Sequence, residues 1–419
     1  MAISDLRIVE IAFRHRRTRN DIHKLRLDRA VGTKGNTMSD ISRRSLLGQA
    51  ACVALAAVSS NVAFGDKRNS FQRKIPVLHA TDLFRPHVDP DDHWDLACIY
   101  ALAHLGDIDL KAVVIDFPPK GKDPDIAAIA QLNHITGLTV PAVVGSPLPM
   151  KSRDNTQPCA GPSPPRADNA ANMVLDVLRS SPQAVIINIT GCCRDIAIAG
   201  KKAPQLFQKK CAAIYLNAGA GSSKNDPGAN LEYNVSLDRA AYAAIFDLPC
   251  PVYWMPCFEQ MADPWKVRQF GTFYRFRQDQ ILPYLSDRLQ NYFAYMLGKV
   301  QSSNWLAYLT GPKDAQLLAE HAANYRNMWC TGGFLHAAGE TVSRSGEIFP
   351  LDSEGESPVF TFDPIKVRCS DDGATEWTMD QNRNSRHIFH VQDIENYGSA
   401  MTAAMKSLLM SLPQQPITP

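Results

Sequence analysis

From Ile75 onward the chain alternates short β-branched apolar runs with longer stretches of helical periodicity, and this pattern restricts its fold more than any other feature. "IPVLHAT" precedes a helix expected from about Asp92 to Leu105, and "LKAVVIDF" precedes "DPDIAAIAQLNHITG". "VPAVVG" leads through a Pro-rich loop to "ADNAANMVLDVLRSS", and "AVIINITG" precedes "DIAIAGKKAPQLF". "CAAIYLNAG" opens a Gly-rich loop, and "PVYWMPC" closes the series. Parallel strands need long crossovers, so this order implies an α/β fold: a mainly parallel open sheet with helices on both faces. Ligands of such sheets gather at the carboxyl ends of the strands. Past about Trp265 the pattern becomes aromatic and helical, "RQFGTFYRFRQDQILPYLSDRLQNYFAYMLGKV", which reads as an added helical lid region whose rings pack a core rather than stack bases. C-terminal strands, "SPVFTFDPIKVRC" to "HIFHVQ", and an amphipathic helix, "NYGSAMTAAMKSLLMSL", complete the domain.

The two ends of the chain read differently from its body. Residues 1–65 hold eleven Lys or Arg against five Asp or Glu, so the +2 formal charge of the 419-residue chain hides a remainder of 33 basic and 37 acidic residues. That balance argues against a nucleic-acid surface. "SDISRRSLLGQAACVALAAVSSNVAFGDK" has the charged, apolar and small-residue regions of an export signal, with Arg43-Arg44 in a twin-arginine-like setting and cleavage expected near Gly65. Its apolar run, Leu46 to Val58, is too short to span a bilayer comfortably, so no stable membrane anchor is expected after cleavage. The expected organisation is an N-terminal extension over 1–37 that start-site misassignment would explain, a signal over 38–65, one domain over 66–413 and a tail over 414–419. An exported protein, periplasmic or extracellular, follows. The cysteines show no metal-type spacing and read as buried free thiols. A homo-oligomer is left open.

The stretch "LHATDLFRPHVDPDDHWDLACIYAL" concentrates charge at a strand end: Asp82, Asp89, Asp91, Asp92 and Asp95 lie within fourteen residues. One carboxylate at a helix start is a cap. Five exceed that need, and they suit a hard cation bound through oxygens, whose charge relieves their repulsion. A solvated acidic loop and a zinc site using His79, His87 or His93 are the alternatives.

These residues also carry a resemblance. "TDLFRPHVDPDDHWDLA" resembles the aspartate motif of the inosine–uridine-preferring nucleoside hydrolases, and three further stretches agree in order: "VPAVVGSPLP", "VIINITGCCRDIAIA" and "NAGAGSSKNDPGANLEYNVSLDRAAYAAI". The resemblance implies that Asp82 and Asp92 ligate Ca²⁺, with the backbone carbonyl of Arg194 as a further ligand, and that Asp82 takes a proton from water. It implies that Asp91, Asn230, Glu232 and Asn234 hold the hydroxyls of a ribose. The family's late His-Asp pair maps best on "WCTGGFLHAAGETV", which makes His336 a catalytic candidate and leaves Ala337 where the Asp is expected; Asp89 or water would then complete the metal shell. The Asn that the family places after its second strand is replaced here, with Asp116 and Lys120 in that loop.

The implied activity is hydrolysis of the N-glycosidic bond of a small-molecule nucleoside or related N-ribosyl compound by metal-activated water. A binding protein that kept the sugar-side residues and lost catalysis is the second reading. A magnesium phosphohydrolase, the third, lacks a phosphate-cradling Gly-Lys loop.

Overall fold

The computed structural model of the chain describes residues 74–87, 89–154, 169–224, 231–382 and 385–414. The expected extension, export signal and last five residues of the tail lie outside these, as does Asn230.

Nine strands form the main sheet: β1 (Ile75–Thr81), β2 (Ile108–Ile115), β3 (Ala142–Val144), β4 (Val185–Ile189), β5 (Cys211–Asn217), β6 (Val252–Met255), β7 (Phe360–Cys369), β8 (Thr375–Met379) and β9 (Arg386–Val391). Their order is β8-β7-β9-β6-β5-β4-β1-β2-β3. Strands β9 to β3 in that order pair in parallel, and β7 and β8 close one edge antiparallel. The expected mainly parallel sheet with C-terminal strands is the one observed. Side chains leave it alternately: Val77, Val113 and Ile186 enter one apolar core, and Leu78, Val114 and Ile187 the other. Both faces are covered, which is why β4 reads as an unbroken apolar run apart from Asn188.

Helices α1 (Asp91–Leu105), α2 (Ile126–Thr136), α3 (Asn169–Ser180), α4 (Arg194–Lys202), α5 (Pro204–Lys210), α6 (Tyr233–Leu237), α7 (Arg239–Ile245), α8 (Asp287–Leu297), α9 (Trp305–Thr310), α10 (Ala315–Ala322), α11 (Thr331–Ala337) and α12 (Ile394–Met410) connect and cover the strands. The first core holds residues of α1, α2, α8, α11 and α12, and the second holds residues of α3, α4, α5 and α7. Every residue of α1 from Asp92 to Ala103 is buried, so this helix is enclosed on all sides rather than amphipathic. No helix among the described residues is long and apolar enough to cross a membrane.

The aromatic stretch departs from the helix expected there. Tyr274–Arg277 is a strand, paired antiparallel with Tyr325–Met328. Tyr274 and Phe276 are buried while Arg275 and Arg277 are exposed, a period of two that the surrounding helical pattern masks. Two 3₁₀ turns follow before α8 begins at Asp287. The buried rings pack a core: Trp94 of α1 stacks on Phe293 at 4.0 Å between centroids and meets Phe276 edge-on at 5.2 Å. All eight described cysteines are free and buried.

The chain steps from β1 to β2 to β3 in one direction, then returns to place β4 on the other side of β1. Between β1 and β4 the winding reverses. Such a switch point at the carboxyl ends of the strands is where open α/β sheets bind their ligands.

Candidate active site

Carboxylates gather at this switch point. Asp82 follows β1, Asp116 follows β2, and Asp91, Asp92 and Asp95 lie in the first turns of α1. Asp92, Asp95 and Asp116 are buried, while Asp82 and Asp91 keep part of their surface at the mouth. The first turn of α1 is fixed from behind. Trp94 is locked between rings, His93 Nε2 meets Asp125 at 2.9 Å, and the Tyr292 hydroxyl donates to the His93 carbonyl at 2.9 Å. With that backbone held, the aspartates have little freedom to spread apart.

Hydroxyls partly offset the charge. Asp92 Oδ1 accepts from Thr81 Oγ1 at 2.5 Å and from Thr190 Oγ1 at 3.1 Å, and Asp92 also hydrogen-bonds Asp82. The Cys192 N–H donates to Asp116. Neither oxygen of Asp95 meets an N–H or O–H donor; the Cys330 thiol is its hydrogen-bonding neighbour. The consequence is electrostatic. Desolvation, reinforced by Asp116 and Asp91, raises the Asp82 carboxyl to about 7, although Asp92 opposes this through its hydrogen bond. Burial, with Asp195 adding repulsion, raises Asp116 to about 8. Asp91, Asp92 and Asp95 are driven well above the usual carboxylate range, first by burial and then by neighbouring carboxylates: Asp92 acts on both Asp91 and Asp95, and Asp82 acts on Asp92. A bound cation would reverse this preference.

The turn after β4 brings the cluster together. A Cβ on Gly191 would lie 2.3 Å from Asp116 Oδ2 and 2.9 Å from the Asp82 nitrogen, so only glycine lets these strand ends approach so closely. Arg194 opens α4 just beyond this turn. Its guanidinium is bound to Asp238 at 2.9 Å, the Ser146 carbonyl at 2.6 Å and the Leu237 carbonyl at 3.1 Å, which ties the β3 loop to α6 and α7.

Glu232 and Asn234 line the β5 side. Glu232 caps α6, accepting from the N–H groups of Asn234 at 2.9 Å, Val235 at 3.2 Å and Gly219 at 2.8 Å. Both its oxygens are therefore engaged by backbone. Asn234 donates to the carbonyls of Thr190 at 3.2 Å and Asn217 at 3.0 Å, and its side-chain oxygen remains as an acceptor. Between them Tyr233 is about half exposed, and burial together with Asp82, Asp116 and Asp92 pushes its phenol up to about 12. Its proton is retained at neutral pH.

The expected role of His336 meets a different placement. It sits near the end of α11, where Nδ1 meets the Tyr215 hydroxyl at 2.7 Å and its ring packs on Phe362 and Tyr253 at 4.5 and 5.3 Å. Burial lowers it to about 4. Sequence proximity misplaces the pair because α11 turns its start, not its end, toward the aspartates. At that start stands Trp329-Cys330, and the Cys330 thiol neighbours Asp95 and donates to Asn217 Oδ1 at 3.3 Å. Ala337 is buried in the apolar core. Asp89 pairs with Arg326 at 3.1 Å. Lys120 is exposed in its loop.

Asp116, Thr81, Thr190 and the Cys330 position are the additions the structure makes. Asp116 had a signal: it ends "AVVID" as Asp82 ends "LHATD". Nothing in one sequence marks the hydroxyls or the thiol.

Residues 87–332, more than half of the chain, match the family model described as inosine-uridine preferring nucleoside hydrolase, and the chain belongs to that family. No curated protein matches it. Among solved structures it is similar to a purine-preferring ribonucleoside hydrolase from Gardnerella vaginalis, at 14% identity over 80% of this chain and 99% of that one, TM-score 0.42. It is similar too to an inosine-uridine preferring nucleoside hydrolase from Bacillus anthracis, at 12% identity over 79% and 99%, TM-score 0.40. A plant nucleoside hydrolase, PpNRh1, gives 16% identity over 80% and 100%, TM-score 0.45.

Members of this family generally use a metal ion. Among the described residues no group of three or more His, Cys, Asp or Glu is arranged as a metal shell. The donor chemistry nevertheless fits a hard cation: the cluster offers anionic oxygens, and the buried Asp95 has both of its own without an N–H or O–H donor. Asp82 and Asp92 are the residues that would hold it.

Proposed function

We propose that this chain hydrolyses the N-glycosidic bond of nucleosides or related N-ribosyl compounds, with calcium at Asp82 and Asp92. The observation that carries the reading is the convergence of Asp82, Asp91, Asp92 and Asp116 at the topological switch point of a nucleoside hydrolase family chain. When bound, a divalent cation acidifies water and neutralises the cluster. Asp82 accepts the water's proton as the oxygen attacks C1′. The carboxylates stabilise the positive charge that develops on an oxocarbenium-like sugar. Asp91 and the free oxygen of Asn234 hold ribose hydroxyls, with Asn230 a further candidate. Glu232 acts mainly by capping α6, which sets Tyr233 and Asn234 in place. The Arg194 carbonyl is retained as a proposed metal ligand.

The test is release of reducing sugar from a nucleoside panel by purified protein with calcium, repeated with Asp92→Ala. Sugar release that Asp92→Ala abolishes supports the proposal; equal activity in the variant removes the metal assignment. The thiol that stands at Cys330 beside the cluster favours a second reading, a sugar-binding protein without turnover, which binding of ribose in the absence of any hydrolysis would establish. We also propose export through the twin-arginine-like segment, with the mature domain beginning near residue 66. Cell fractionation and the N-terminal sequence of the recovered protein test this, and an intact Met38 start in the cytosolic fraction alone would overturn it.

A further inference from the structure

Cys211 opens β5, and Cys250 lies just before β6. In β5, Ile214 and Leu216 enter the second core, which also takes Val252 and Trp254 of β6, while Ala213 and Tyr215 enter the first. Strict alternation would send Cys211 with Ala213, away from Cys250. The pairing with β4 breaks that alternation. Val185 stands opposite Cys211 and the next residue, Ile186, opposite Ala213, so Ala212 is an extra, exposed residue. This bulge turns Cys211 over, and both cysteines enter the second core, each 4% exposed. The Ile214 N–H donates to the Pro251 carbonyl at 2.9 Å, which draws the Cys250 segment against the start of β5. The two thiols hydrogen-bond one another.

From β9, Arg386 donates to the carbonyls of Cys250 at 2.8 Å, Leu248 at 2.7 Å and Phe246 at 2.7 Å, which fixes this segment and brings a cation to it. Among the eight described cysteines, Cys250 alone has its thiol held below the ordinary value, by the Cys211 hydrogen bond first and by Arg386 after it, against burial. Burial pushes the other seven up. The thiolate is the attacking form of a cysteine. Exposed Ala212 and Pro249 flank the two thiols, so they lie just beneath the surface.

We propose that Cys211 and Cys250 are a redox pair that closes into a disulfide and fastens the start of β5 to the start of β6. The inference is independent of the hydrolase reading and of any metal. Adjacent strands lie about 4.8 Å apart, within the Cα spacing that a disulfide spans. The co-reactant is a disulfide oxidant, the reagent class of an oxidising compartment. The Cys250 sulfur gives up its proton and attacks one sulfur of the oxidant, whose S–S bond breaks so that one half leaves as a thiolate. The Cys211 sulfur gives up its proton in turn, attacks Cys250 Sγ and expels the second half. Two cysteines are oxidised, and the oxidant is reduced to two thiols that take up the two protons. The loop so closed carries Glu232, Tyr233 and Asn234, and the crosslink restricts the unfolded chain on the β5 side of the carboxylate cluster.

To test this, the purified protein is reduced, freed of reductant and incubated under native conditions with bis(2-hydroxyethyl) disulfide. Remaining thiols are alkylated in denaturant, and the digest is mapped by mass spectrometry. The expected result is the loss of two thiols, one peptide pair joined through Cys211 and Cys250, and a melting temperature about 5 °C higher that dithiothreitol reverses. Cys211→Ser should keep half of the oxidant bound to Cys250, and Cys250→Ser should react at Cys211 at least about tenfold more slowly. Recovery of both thiols alkylated, a crosslink to any other cysteine, or one that forms only in denaturant overturns the pair. A native crosslink that leaves the melting temperature unmoved overturns its fastening role. The wild-type digest decides between these outcomes even where a serine variant fails to fold.

Discussion

Asp92 accepts from two threonine hydroxyls and also hydrogen-bonds Asp82, so it links the ends of β1 and β4 to the start of α1. Replacing it with Asn keeps the shape and removes charge. We expect kcat/KM toward any cleaved nucleoside to fall by at least about 100-fold, and the thermal shift produced by calcium to vanish. The cluster also makes stability depend on pH. A carboxyl raised above its unfolded value of 3.8 binds its proton more tightly in the native state, so its stabilisation is full below about pH 4 and is lost as pH rises through about 7 for Asp82 and about 8 for Asp116. His79 and His336, lowered by burial to about 3 and about 4, act in the opposite direction, but only below about 6.5. Between pH 6.5 and 8 the carboxyls therefore dominate among these four groups. The melting temperature of metal-free protein should fall across that window, the fall should lessen in Asp116→Asn, and calcium should flatten it. Calcium binding at pH 6.5, followed calorimetrically in two buffers of different ionisation enthalpy, should release on the order of one proton.

At the level of elements, α11 and the β4 turn carry the distinguishing predictions. Cys330 and His336 stand near opposite ends of α11, one by the aspartates and one on the ring cluster of Tyr215, Tyr253 and Phe362. Cys330→Asp would add a carboxylate beside Asp95 and should tighten calcium binding about tenfold by titration calorimetry. His336→Ala should cost about 2–4 kcal/mol in chemical denaturation through the lost ring packing and Tyr215 hydrogen bond, with kcat little changed. A large fall in kcat at unchanged stability would return His336 to the catalytic role that its sequence position implies. Gly191→Ala forces its new Cβ into Asp116 and the Asp82 backbone, and should cost about 1–3 kcal/mol and move the aspartates out of register. Its loss of activity should exceed that of an exposed-loop control such as Lys120→Ala.

For the whole molecule, the reversal of winding between β1 and β4 decides where a ligand meets the sheet. Calcium together with ribose should slow amide exchange at the ends of β1, β2 and β4 and in the first turn of α1. The antiparallel β7–β8 edge should exchange unchanged. Uniform protection, or protection confined to that edge, would place the ligand elsewhere. A surface cavity of about 440 Å³ between the start of α8 and the end of α9 contains none of the clustered carboxylates and should show no change.

Local patterning determined a good deal of this protein. The strand–helix alternation specifies a parallel sheet because only that arrangement buries unbroken apolar strands and uses long crossovers. The run from Asp82 to Asp95 marked the charged mouth, since so many like charges are costly without a purpose. Asp116 was visible as a loop residue, but its membership of the cluster required β2 to lie beside β1. The tertiary structure alone decided three things: that α11 faces the aspartates with Cys330 and not His336, that Arg326 takes Asp89, and that a bulge at Ala212 turns Cys211 toward Cys250. Such pairings link residues far apart in the chain, and no period of two or of 3.6 encodes them. They follow from which helix turn packs against which strand end, a choice made by the rings and glycines of the core rather than by the motif residues themselves.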